Sequence, residues 1–251
     1  MDFTNAMTEP MASLVGFHNQ FNKRIKFSFG ALARIKEKGA KLNGKALRLP
    51  VGEEPWNQTR TWQNIGTEAD LSLQFVTEMG LARAATAFEE YVMGSIAELD
   101  RGDGRTRSVE ADGNLIRLLN RLEIPTTSLS AQLAIVEFYD CARNCIVHRS
   151  GRANKDLAQR AASPALKEAV RASARANAKW KPTIPDVVIG KPIQLQPRHA
   201  IMASGAYHRL ASMLDKALVQ RLGRKGFVRM ASYWSLLAEN PIHTPVMLKL
   251  W

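Results

Sequence analysis

Apolar residues recur along most of this chain at spacings of three and four, the rhythm of helices with one buried face. Leu14, Phe17, Phe21, Ile25, Phe29, Leu32 and Ile35 mark a helix over residues 11–40. Gly39, Gly44, Pro50, Gly52 and Pro55 break the pattern and predict a loop or ordered connection over 39–65. A long helix follows over 66–99, with Phe75, Leu81, Ala84, Ala85, Phe88, Val92 and Ile96 as its core stripe. Gly80 and Gly94 weaken that helix intrinsically, so they read as points where a neighbour approaches closely. Residues 100–113 are a polar turn region rich in Gly, Asp and Arg, and 114–123 form a short helix that Pro125 closes.

The segment 130–151 reads as the central helix. Ser130 is placed to cap its start and Gly151 to end it. Leu133, Ile135, Val136, Phe138, Tyr139, Ala142, Ile146 and Val147 make one broad apolar side. Glu137, Cys141, Asn144 and His148 fall within roughly 60° of one another on another side. An Ala-rich helix is predicted from Pro164 to about Lys179. A Pro/Gly-rich extended connection with room for a short strand pair follows over 181–197. The last clear helix spans 198–222, with Ile201, Leu210, Met213, Leu214, Leu218 and Leu222. The apolar content of 226–251 predicts a docked tail rather than disorder. The sum is a mostly α protein: an N-terminal basic helix and connection (1–65), a helical bundle (66–222) and a C-terminal docked extension (223–251).

Charge sharpens this picture. The chain of 251 residues carries a formal net charge of +12, distributed as +5 over residues 1–60, −7 over 61–142, +8 over 143–191 and +6 over 192–251. The most basic block begins inside the central helix, and its field would draw in a polyanion. No apolar run reaches the roughly 20 residues of a membrane span, and the N-terminus lacks the basic and apolar regions of a signal peptide. Cys141 and Cys145 lie one helical turn apart, a poor geometry for a disulfide, which predicts free thiols in a reducing cytoplasm.

Several chemistries are excluded by their missing motifs. There is no Gly-x-Ser-x-Gly elbow, no Gly-x-Gly-x-x-Gly after a strand and no Gly-Lys-Ser/Thr phosphate loop. Cys141, Cys145 and His148 share a helix face, but a structural zinc needs four ligands and no second Cys/His cluster follows, so no metal site is expected. Glu89 and Glu90 diverge by 100° on their helix and read as exposed carboxylates or ion-pair partners.

What remains is Arg143-Asn144-Cys145-Ile146-Val147-His148-Arg149-Ser150-Gly151. This stretch resembles the signature of HEPN-domain proteins: Arg, a polar residue, three to five residues, then His. The element order over roughly 66–222 is similar to the HEPN bundle, whereas 1–60 and 223–251 fall outside it. The x-Tyr that follows the His in one nucleotidyltransferase-paired branch is replaced here by Arg149-Ser150. The resemblance implies a metal-independent endoribonuclease without cofactor, acting as a homodimer with a composite active site. It further implies a toxin or phage-defence effector that an antitoxin or sensor protein would control. Arg143, Asn144 and His148 would be catalytic; Arg149, Arg152 and Lys155 are candidate RNA contacts.

The residue types suit that role. An imidazole titrates near pH 6.5 when unperturbed and can act as acid or base at neutrality. A guanidinium stays charged and forks onto phosphate oxygens. Asn144 can orient the imidazole or the phosphate. Arg143 and His148 point roughly 140° apart on an ideal helix, so convergence needs arginine reach, a frayed helix end or a second subunit. Glu137 stands as a surface carboxylate or as a partner for an arginine across the dimer. Two alternatives carry different expectations: a non-catalytic RNA- or nucleotide-binding HEPN module, and an interaction protein working through its basic N-terminal helix.

Overall fold

The computed structural model describes residues 7–41, 47–48, 61–62, 65–104, 114–176 and 183–239. Most of the 39–65 connection, residues 105–113 and the tail beyond 239 lie outside the described residues. The chain is a mostly α helical bundle. Its helices are α1 (Glu9–Lys41), α2 (Ile65–Asp103), α3 (Asn114–Arg121), α4 (Ser130–Arg149), α5 (Lys155–Ala162), α6 (Pro164–Ala176) and α7 (Pro197–Glu239). Strands β1 (Leu47–Arg48) and β2 (Thr61–Trp62) pair antiparallel, Leu47 opposite Trp62. Among the described residues no helix is long and apolar enough to cross a membrane.

The spine is α2, packed along its length by α1 and α7 and touched by α3 and α4. Leu81, Ala84, Ala85, Phe88, Tyr91, Val92 and Ile96 are buried in it, a band wider than one amphipathic stripe because more than one partner covers it. Phe88 stacks on Tyr207 of α7 with ring centroids 5.0 Å apart, and the Tyr91 hydroxyl donates to the Ala211 carbonyl at 3.0 Å. Both predicted contact glycines face α1. A Cβ on Gly80 would lie 2.7 Å from Ile25, and one on Gly94 would lie 2.8 Å from the Pro10 ring. Not every expected core position is buried: Phe75 is 61% exposed and Val147 53%.

The start of α1 is gripped by carboxyl groups. The Thr8 hydroxyl donates to Asp215 of α7, and the Thr8 carbonyl accepts from Ala12 N at 3.0 Å. Nearby, Glu98 of α2 is buried. Burial, reinforced by the carboxyl groups of Glu9 and Asp215, pushes Glu98 up to about 8. Further along α1, the His18 and His208 rings stack at 4.5 Å. His18 Nε2 accepts from Asn22 Nδ2 at 2.9 Å and its Nδ1 meets the Ser204 hydroxyl at 2.8 Å. Burial lowers both histidines, His18 to about 4, and lowers the buried His199 to about 4.

At its far end α7 breaks at Gly223, which adopts φ +53° and ψ −170°, a left-handed conformation open chiefly to glycine. Beyond it Met230 is buried and Phe227 packs on the core. Arg121 of α3 pairs with Asp100 and Asp103 of α2, and Asp103 also faces Arg221 at 3.6 Å, fastening α3 and α7 to the end of α2.

Two predictions follow from this packing. A Cβ on Gly16 meets open space, so Gly16→Ala gains the full helix propensity, about 1 kcal/mol. Gly94→Ala gains the same propensity but drives a methyl into Pro10. Urea unfolding is expected to show a higher midpoint for Gly16→Ala and no gain, or a loss, for Gly94→Ala. The second concerns pH. Glu98 is pushed up to about 8 in the fold but has the ordinary glutamate value of 4.5 in the unfolded chain, so its contribution to stability is lost as pH rises from about 4.5 to about 8. The histidines act in the opposite sense, losing stability as pH falls below 6.5. Above pH 6.5 the histidine effect fades, while the loss through Glu98 continues to about 8. Glu98→Gln is expected to flatten the decline in melting temperature that the wild type shows across that window; an unchanged slope would place the titration elsewhere.

Candidate functional site

Helix α4 opens directly from a single turn of 3-10 helix, Thr126–Leu129, and its capping position is Leu129. Ser130 is the first helical residue, so the expected Ser130 cap is not made: the preceding turn supplies the backbone continuity instead. The other end matches the expected stop. Ser150 and Gly151 have φ +51° and +73°, and both backbone N–H groups donate to the Cys145 carbonyl, Gly151 at 3.1 Å. This left-handed closure satisfies a carbonyl the helix leaves open. The chain then runs against the 188–193 turn. Ala153 N donates to the Lys191 carbonyl at 2.9 Å, Gly190 N to the Ala153 carbonyl at 2.8 Å and Ile193 N to the Gly151 carbonyl at 2.9 Å. Asn154 caps α5 by accepting from Leu157 N at 2.8 Å. The end of α4 is thereby fixed rather than frayed.

The three motif residues divide between two environments. Asn144 and His148 lie one turn apart on the exposed side of α4, and among the described residues neither side chain has a hydrogen bond or ion pair. Arg143 turns inward. Its side chain is 19% exposed and pairs with Glu89 of α2, while its Nε is buried without a hydrogen-bond partner among the described residues. Beside it the Tyr207 hydroxyl donates to Asp140 at 2.6 Å. Burial raises Asp140, an effect its bond to Tyr207 opposes. Tyr207 lies well above its usual range through burial first and then the neighbouring Asp140. Within one chain, the angular separation anticipated between Arg143 and His148 therefore persists.

The candidate RNA contacts follow His148 along the junction of α4 and α5. Arg149 ends α4, Lys155 begins α5, and Arg152 between them donates to the Gly190 carbonyl at 3.1 Å; all three are exposed. The 188–193 turn adds Lys191, a cation that no local motif marked. It also brings Val188 and Ile189, each 60% exposed, to the end of α4 that carries Val147. The site therefore combines an unpartnered imidazole and amide, a basic rim and exposed aliphatic side chains.

Other expectations resolve differently. Glu137 pairs with Arg160 of α5 in its own chain. Cys141 and Cys145 are free thiols, Cys141 half-buried with its Sγ 3.8 Å from Asn154 Oδ1 and Cys145 buried; burial pushes the Cys141 thiol up. Among the described residues no group of three or more His, Cys, Asp and Glu side chains could hold a metal ion. Glu89, read from sequence as an exposed carboxylate or ion-pair partner, is half exposed and pairs with Arg143. Asp140 and Tyr207 carried no sequence signal beyond lying on apolar helix faces. No family model, curated protein or solved structure matches the chain.

The two environments predict different costs of substitution. Removing Asp140 leaves the buried Tyr207 hydroxyl unsatisfied, and Asp140→Ala is expected to lose about 1–3 kcal/mol of stability. Exposed and unpartnered, Asn144→Ala and His148→Ala should each fall within about 0.5 kcal/mol of wild type. Chemical denaturation of the three variants checks this; a large loss for His148→Ala would mean that the imidazole is structural.

Proposed function

We propose that the protein is a metal-independent endoribonuclease of the HEPN type, working as a homodimer. The observation that carries the reading is the His148–Asn144 pair. It stands on the solvent side of a rigid helix end with no hydrogen bond or ion pair among the described residues, in a segment that goes on to exposed Arg149, Arg152 and Lys155 and pairs through its backbone with the turn that carries Lys191. An exposed imidazole beside concentrated positive charge suits a phosphodiester substrate.

In the proposed reaction one His148 takes the proton of a ribose 2′-OH. The freed O2′ attacks the adjacent phosphorus and the P–O5′ bond breaks. An imidazolium returns a proton to O5′, leaving a 2′,3′-cyclic phosphate and a 5′-hydroxyl. Concerted transfer wants two imidazoles, and each chain has one here. Exposed Val147, Val188 and Ile189 offer apolar surface at this end of the molecule for a second copy, which would bring the second His148. Arg143 would steady the phosphorane charge after exchanging Glu89 for a phosphate oxygen, or act across the dimer. A role as a toxin or phage-defence effector, held by an antitoxin or sensor, is the biological setting this activity implies.

The test is incubation of total RNA and bulk tRNA with wild type and His148→Ala in EDTA, followed by end-group analysis. Cyclic-phosphate ends from wild type, reduced at least a hundredfold in the variant, are expected, since general acid–base groups contribute about 10²–10⁴ in rate. Equal cleavage by both would falsify the assignment. Salt-sensitive RNA binding without cleavage by either protein would support the non-catalytic binding module instead.

A further inference from the structure

A second surface lies between α1 and α2, on the part of the molecule that the proposed ribonuclease chemistry does not use. It is a groove of about 260 Å³ with Phe17, Phe21 and Ile25 of α1 on one wall and Phe75, Val76 and Met79 of α2 on the other. Gly80 forms part of the lining, and its missing side chain lets Ile25 and Phe21 approach the α2 backbone. Phe75 is 61% and Met79 40% exposed, and Leu71, one turn before Phe75, is 56% exposed. Leu71, Phe75 and Met79 recur every four residues, so they form one apolar line along the helix. A line of large exposed apolar residues beside a concavity marks an interaction site.

Charge identifies the occupant. Arg24 of α1 and Arg83 of α2 line the groove from its two walls. Both are exposed, and among the described residues neither side chain has an ion pair. The rest of the exposed face of α1 adds Lys23, Lys26 and Arg34. We infer that this groove docks an acidic amphipathic helix of a partner protein, its apolar side chains seated between Phe21, Phe75 and Met79 and its carboxylates facing Arg24 and Arg83. An apolar seam read at every fourth residue is the surface that a partner helix matches with its own i, i+3, i+4, i+7 side chains. A lipid surface would need apolar side chains projecting from a convex face, whereas these line a trough between two helices.

The test is selection from a display library of amphipathic 18-residue helical peptides against the immobilised full-length protein. Selected peptides and vesicles are then measured by fluorescence anisotropy and flotation. Selected sequences should be rich in Asp and Glu around the apolar positions. Their affinity should fall at least tenfold for Phe75→Ser, the scale expected when one buried apolar anchor is lost. Arg24→Glu/Arg83→Glu should weaken them further and lessen the salt dependence, with helical content and melting temperature retained. Selection of neutral or basic peptides, or affinities indifferent to both variants, overturns the inference. So does binding of phosphatidylglycerol-containing vesicles that Phe75→Ser abolishes in the absence of selected acidic peptides. Because His148 plays no part in this readout, its outcome is independent of the ribonuclease assay.

Discussion

Small residues at 80, 84, 85 and 94 let neighbouring helices reach the backbone of α2 closely, and the rest of the bundle is arranged around that close approach. Gly80 and Gly94 meet α1, while Phe88 and Tyr91 reach α7. A helix covered on more than one side cannot be purely amphipathic, and its apolar residues form a band rather than a stripe. The same helix carries Glu89 on its exposed side, where it meets Arg143 of α4. The position of the motif arginine is therefore a consequence of how α2 is packed, not only of α4's own sequence.

This packing places opposite demands on residues one or two turns apart. Asp140 and Arg143 belong to the interior edge of α4, where Tyr207 and Glu89 hold them; Asn144 and His148 belong to its solvent face. The left-handed closure at Ser150 and Gly151, together with the backbone pairing to residues 188–193, prevents the last turn from unwinding to bring the two faces together. A rigid helix end positions side chains well but forbids them to converge within one chain. Any chemistry needing the guanidinium and the imidazole at one phosphate must then recruit a second copy or draw Arg143 away from Glu89.

The order of α1 to α4, α6 and the first part of α7, the stop at Gly151 and the close approaches at Gly80 and Gly94 were legible because each follows from local rules: periodicity, backbone conformation and the absence of a Cβ; the short polar α5 and the continuation of α7 past 222 to Glu239 were not. Other features escaped for equally physical reasons. Periodicity shows that Phe75 and Val147 lie on apolar stripes, but the width of a stripe that a neighbour covers is set by tertiary packing; both sit at an uncovered margin. Glu137 and Arg160 stand 23 positions apart, and Glu89 and Arg143 stand 54 apart. Such pairings depend on chain reversals that no local pattern encodes. Ser130 had the composition of a cap but not the position, since a turn of 3-10 helix already leads into α4. Of the candidate site, Arg143, Asn144 and His148 and the basic residues Arg149, Arg152 and Lys155 could be proposed from sequence; Lys191 and the division of the first three between interior and solvent required the fold.

The Glu89–Arg143 pair bears on how such a site could be both stored and used. Glu89 is half exposed, so the pair is screened, and an ion pair of this kind contributes about 0–1 kcal/mol. Arg143 Nε, buried without a partner, gains nothing from the arrangement. A phosphate offers a guanidinium two oxygens in a matching plane and a charge-assisted hydrogen bond to each. Exchange of Glu89 for phosphate would therefore be, under the proposed chemistry, a small step energetically, and it would not require breaking the Asp140–Tyr207 bond. Under the proposed chemistry, Glu89 would hold the arginine near its working place without burying a lone cation, and substrate would complete the electrostatics. The bundle would not need to open for this, because the Glu89–Arg143 pair lies at the edge of the α2–α4 contact, with Glu89 half exposed.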